Sequence, residues 1–93
     1  MVPSDTFDKV VHFLIAHESR SRRVGRFLVT MEKVPGDLSA TVRIFEVSGF
    51  LGLRKKLLYC VNRYVESGGL ATKLLYAHRG DWYKEFEEEL RNA

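Results

Sequence analysis

Residues 53–66 read LRKKLLYCVNRYVE, and whether they wind into a helix or extend as a strand decides the fold. Wound as a helix, they gather Leu53, Leu57, Leu58, Cys60, Val61, Tyr64 and Val65 into an arc of about 160°. Lys55, Lys56, Tyr59, Asn62 and Arg63 then take the opposite side. The SGG at 67–69 supplies a glycine C-cap, which favours the helix. Tyr, Cys and Val would also serve a strand.

On the N-terminal side, DTFDKVVHFLIAHE at 5–18 follows Ser4 or Asp5 as N-cap and sets Phe7, Val10, Val11, Leu14 and Ile15 on one face, which predicts a helix. SRSRR at 19–23 has no apolar residue and reads as a loop. VGRFLVTMEKV at 24–34 alternates Phe27, Val29 and Met31 against Arg26, Thr30 and Glu32, the period of a strand. PGD at 35–37 suits a type II turn into ATVRIFEV at 40–47, so a hairpin is expected. The second arm changes phase at Ile44 and Phe45, where a bulge or burial on both sides is expected.

Beyond the central segment, LATKLLYAH at 70–78 lies between glycines and reads as a third strand. DWYKEFEEELRNA at 81–93 reads as a helix capped by Asp81, with Trp82, Phe86 and Leu90 on one face. The order α-β-β-α-β-α predicts an α/β protein of the α+β two-layer sandwich type. Its hairpin is antiparallel, and a right-handed crossover through the second helix returns the third strand parallel to the second. The expected sheet is three-stranded, ordered 2-1-3, with helices on one face and one edge open to another subunit.

Ninety-three residues with 45% apolar content support one domain over 1–93. So small a core leaves a homodimer in prospect. The N-terminal MVPSDTF has no basic leader, and no run of about 18 apolar residues occurs, so a soluble, cytoplasmic protein without a membrane partner is expected. The single cysteine, Cys60, forms no internal disulfide and no Cys-rich zinc site, and it suits a reducing compartment. His12 and His17 stand about 140° apart on a helix, so no metal site and no cofactor is expected.

Net charge is +3, unevenly spread. Residues 1–80 hold 13 basic and 7 acidic side chains, while residues 81–93 hold 2 and 5. A basic body with an acidic tail points to an anionic partner, or to the tail pairing with the body. The expected topology gathers three connections on one rim of the sheet. They carry Arg20, Arg22, Arg23 and Arg26; then Arg54, Lys55 and Lys56; then His78 and Arg79.

Cations in the first turn of a helix oppose its dipole, at about 0.3–1 kcal/mol each when exposed. A helix starting at Leu53 therefore makes sense if an anion sits at Gly49, Gly52, Arg54, Lys55 and Lys56, held by free backbone N–H groups. Gly49 and Gly52 share the GxxG spacing with which KH domains clamp a nucleic-acid backbone. Here a strand leads in and Phe50 and Leu51 fill the middle, so the family is not carried over. Lys55, Tyr59 and Arg63 form a basic stripe with one aromatic, able to follow a phosphate backbone or to stay solvated.

These readings converge on a small non-enzymatic binding protein that engages nucleic acid or a nucleoprotein through the basic rim. The alternative is a protein–protein interaction module, a dimeric adaptor or inhibitor, that meets an acidic protein surface with Phe50, Leu51, Tyr59 and the open sheet edge. A small enzyme using His78 and Asp81 ranks third.

Overall fold

A computed structural model describes residues 2–33 and 39–93. Helix α1 (Thr6–Ala16) is followed by strands β1 (Ser21–Val24), β2 (Phe27–Lys33) and β3 (Ala40–Ser48). A short 3-10 turn, Phe50–Gly52, leads into β4 (Arg54–Glu66) and β5 (Gly69–Ala77), and helix α2 (Trp82–Asn92) closes the chain. The five strands form one sheet in the order β1-β2-β3-β4-β5, every neighbouring pair antiparallel. This meander overturns the three-stranded sheet ordered 2-1-3, its parallel third strand and its middle helix, while the α+β class stands. The turn expected at 35–37 lies outside the described residues.

Residues 54–66 extend instead of winding because a β-bulge hides their period. Ile44 of β3 pairs with Tyr59, but Phe45 pairs with Leu57, so Leu58 is one residue too many. The extra residue turns Leu58 and Tyr59, adjacent in the chain, both into the core, which includes Val61 as well. Cys60 points to the opposite face, opposite Arg43 and Tyr76, and is buried there. Four consecutive buried residues, 58 to 61, are thus a strand with an interrupted alternation. The phase change read at Ile44 and Phe45 falls at this register shift.

Two turns explain the remaining differences. The glycines at 68 and 69 close a hairpin and do not cap a helix: Glu66 pairs with Gly69, leaving Ser67 and Gly68 as the turn. Residues 21–24 form a short polar edge strand where a loop was expected. Val24 pairs with Phe27, and Gly25 makes the two-residue turn at φ +58°, a region glycine enters without strain.

Both helices cover one face of the sheet. Phe7, Val10 and Leu14 of α1 and Trp82 and Phe86 of α2 join Val24, Phe27, Val29, Met31, Val42, Ile44, Leu58, Tyr59 and Val61 in a single core. Val11 is only partly buried and Ile15 is 58% exposed, so α1 buries a narrower stripe than its sequence offers. Phe27 and Phe86 meet edge-to-face with ring centroids 5.4 Å apart. The two ends of the chain also meet. The buried Thr6 hydroxyl donates to the Pro3 carbonyl (2.8 Å) and lies 3.1 Å from the Tyr83 hydroxyl, and Lys9 pairs with Glu87 at 3.3 Å.

The core position of Tyr59 gives a test in alkali. Burial, the largest cause, pushes its phenol up to about 12 because the charged form would lose hydration. The folded state therefore holds this proton more tightly than the unfolded chain, whose tyrosine titrates near pH 10. Stability from this group is complete below about pH 10 and is lost as pH rises toward 12. Urea midpoints measured between pH 9 and 12 are expected to fall less steeply in Tyr59→Phe than in the wild type.

Candidate functional site: an apolar tip among cations

Three connections meet at one end of the sheet: the Gly25–Arg26 turn, the β3–β4 connection and residues 78–81 after β5. Register places them there, since Phe27 pairs with Glu46 and Glu46 with Lys56. The Val47 amide donates to the Arg26 carbonyl (2.8 Å), and the His78 amide donates to the Leu58 carbonyl (2.7 Å).

The β3–β4 connection forms the tip of this end. Gly49 (φ +82°) and Gly52 (φ +68°) bracket it, and the Gly52 amide donates to the Gly49 carbonyl at 3.2 Å. A Cβ added at Gly52 would stand 2.9 Å from Val47 Cγ1 and 3.4 Å from the Arg23 guanidinium, so the turn lies against the sheet and only glycine fits. Leu51 sits at φ 57°, ψ 20°, a left-handed conformation that costs a non-glycine residue on the order of 1 kcal/mol. This strained turn holds Phe50, Leu51 and Leu53 in solvent at 83%, 81% and 76% exposure. Large apolar groups so exposed and so close together have no role in the fold.

The cations near the tip divide into engaged and unengaged groups. Arg26 is paired with Glu46 at 3.4 Å and with Glu85 of α2, so the acidic tail pairs with the body here. Arg63 is far from this end and faces α1. Its guanidinium donates to the Asp8 carboxylate (2.8 Å) and to the Thr72 hydroxyl (3.2 Å) and lies 4.2 Å over the Phe7 ring. The stripe of Lys55, Tyr59 and Arg63 on one solvent face does not exist, because Tyr59 is a core residue and Arg63 ties two elements together. Arg54, Lys55 and Lys56 open a strand, so the anion site built on a helix start falls with the helix.

Arg23, Arg54, Lys55, Lys56 and Arg79 make no ion pair among the described residues. Arg23 lies against the turn at Gly52, and Arg54 carries its side chain 3.3 Å from where a Gly49 Cβ would be. Lys56 and Arg79 line a cleft with Arg26, His78, Asp81 and Glu85. Arg22 on β1 pairs with Val29, and Arg20, just before that strand, accepts the Met31 amide at its carbonyl, both away from this end. The structure thus brings together most of the basic rim read from the sequence, with acidic groups set among it. Among the described residues, no cluster of three or more His, Cys, Asp or Glu could hold a metal ion.

The sequence reading missed a second feature, an apolar groove of about 900 Å³ on the helix-covered side of β4 and β5. Tyr59, Val61 and Leu74 floor it, and Val2, Tyr83 and His78 wall it. It exists because the helices stop short of β5. On this side of β5, Leu70 and Leu74 remain 70% and 58% exposed, and Tyr76, opposite Cys60 on the other face, is exposed as well. The signal was the three leucines in LATKLLYAH, a segment read only as a third strand.

No family model matches the chain, and neither a curated protein nor a solved structure matches it. No helix among the described residues is long and apolar enough to cross a membrane.

Proposed function

We propose that the protein is a non-catalytic interaction module whose tip docks onto an acidic protein surface. The observation that carries this reading is the built exposure of Phe50, Leu51 and Leu53 on a strained turn beside Arg54, Lys55 and Lys56. An apolar anchor beside cations that make no ion pair among the described residues suits a partner with a hydrophobic pocket and a carboxylate rim. The cations steer the encounter, and the apolar side chains supply the residence time. Nucleic acid, the other anionic partner that the charge map favours, would use the cations but leave three apolar side chains in water. A reducing compartment such as the cytoplasm suits the unpaired Cys60.

The test is capture by the tagged protein from its native extract, followed by titration with each captured protein. Phe50→Ala with Leu51→Gly is expected to weaken binding about tenfold or more. The variant keeps its circular dichroism, because neither side chain packs in the core. Unchanged affinity for every captured protein would sink the reading. So would salt-sensitive binding to generic DNA or RNA that is indifferent to both substitutions.

A further inference from the structure

We propose that the groove floored by Tyr59, Val61 and Leu74 is a binding site for a small aliphatic acid, its hydrocarbon body on the strand floor and its carboxylate toward the Tyr59 hydroxyl and Arg79. The site goes beyond the tip, uses none of its residues, and stands or falls separately.

The groove is a built feature of the fold. Its floor runs from the paired Thr72 and Arg63 to the paired Ala77 and Tyr59, a stretch of β4 roughly 13 Å long. Val2 and Pro3, ahead of α1, and Tyr83 of α2 wall it. At about 900 Å³ it falls within the size range of small-molecule sites. One end is pinned. The His78 amide donates to the Leu58 carbonyl (2.7 Å), and the His78 carbonyl accepts from the Trp82 indole (2.9 Å), so the backbone leading into Arg79 is fixed to both β4 and α2. The side chains of Val61, Leu74 and Ala77 offer no hydrogen bond, and a hydrocarbon body laid over them removes apolar surface from water on both sides.

Two independent observations name the head group. Tyr59 is only 4% exposed, and its hydroxyl has no hydrogen-bond partner among the described residues. Buried hydroxyls are normally paired. Among the described residues no fully enclosed side-chain polar atom lacks a partner, so this hydroxyl keeps an opening, and the groove that Tyr59 floors is that opening. The second observation is charge. The described residues lining the groove include Arg79 and His78 and neither aspartate nor glutamate, and Arg79 makes no ion pair among the described residues. A donor hydroxyl and an uncommitted guanidinium both answer an anion, and a carboxylate accepts from both. A cationic head would meet like charge and find no acceptor side chain of opposite sign.

Decanoate is the probe, titrated into the full chain at neutral pH and followed by backbone amide shifts. Saturable binding with Kd below about 1 mM is expected, with the shifts centred on Val61, Leu74 and Ala77. Affinity should rise about two- to fourfold per methylene from hexanoate to decanoate. Decanol, which lacks the charge, should bind about tenfold more weakly. Tyr59→Phe keeps the packing and should cost about tenfold, while Arg79→Gln should cost about threefold and reduce the salt dependence. Leu74→Trp fills the groove from an exposed position and should abolish binding with circular dichroism unchanged. Phe50→Ala with Leu51→Gly should bind decanoate as the wild type does. No saturation by about 1 mM, decanol binding as tightly as decanoate, or indifference to either Tyr59→Phe or Leu74→Trp overturns the site. Loss of decanoate binding in the tip variant also overturns it, by moving the acid to the tip.

Discussion

Phe27→Ala is expected to cost about 3–5 kcal/mol of folding stability, the range for removing a buried phenylalanine ring. Phe27 is fully buried on β2 and meets the Phe86 ring edge-on, with Arg26 of the adjoining turn 5.3 Å from its centroid. No neighbouring element can collapse into the space, because the sheet below is hydrogen-bonded on both sides of β2. A domain of this size has about 5–15 kcal/mol to lose. Urea denaturation followed by Trp82 fluorescence should show the midpoint falling by about a fifth or more. Phe86→Ala should cost a similar amount, and the double variant should fall short of the sum by about 0.5–1.5 kcal/mol, the coupling of the two rings. Strict additivity would mean that α2 is not held through this contact.

Arg63→Ala is the second large effect, at about 2 kcal/mol. The half-exposed carboxylate of Asp8 makes the ion pair alone a small contribution, below about 1 kcal/mol. Stacking over Phe7 adds about 0.5–1 kcal/mol, and the aliphatic stem covers apolar surface of α1 and β4. Asp8→Ala should therefore destabilise by less than half as much as Arg63→Ala, and equal losses would place the whole effect in the ion pair. The same contact shapes acid stability. The hydrogen bond from Arg63 holds the Asp8 carboxyl below its ordinary value. Its contribution is present above about pH 4 and is lost as pH falls through the lowered value, a dependence that Arg63→Ala should remove. Affinity at the tip should not change, because Arg63 is a tie between α1, β4 and β5.

That tie was read from the sequence as a solvent-facing phosphate contact, and the reason is physical. Sequence periodicity reports which side chains share a face only while the backbone repeat is unbroken. Over 27–33 it is unbroken, and Phe27, Val29 and Met31 were legible as the core side of a strand, although the turn at Gly25 and Arg26 cuts Val24 off from the strand expected to begin there. Trp82 and Phe86 were legible on α2 for the same reason. The bulge at Leu58 breaks the repeat inside β4, and the run Leu57 to Val61 then fits a helical arc better than an alternating one. The glycines after it favoured a helix end because a two-residue hairpin turn and a C-cap draw on the same residue type. At the tip, Gly49, Gly52 and the basic cluster were visible as letters. What the letters could not carry was the left-handed Leu51 that turns the apolar pair outward, since that conformation is imposed by the packing of Gly52 on Val47 and Arg23.

The meander has a kinetic consequence. Every strand pairs with its neighbour in sequence, and the β1–β2 and β4–β5 connections are two-residue turns, so the sheet can zip from local contacts with little loop-closure entropy to overcome. The docking of α2 beside α1 and β1, and the tie of Arg63 on β4 to Asp8 and Phe7 of α1, must join distant parts of the chain. Refolding should therefore show rapid protection of amides in β3 and β4, with Trp82 burial as the late, slower event. A circular permutant that links Ala93 to the N-terminus should speed that event selectively, because the contacts of Thr6 with Tyr83 and of Lys9 with Glu87 already bring the two ends together.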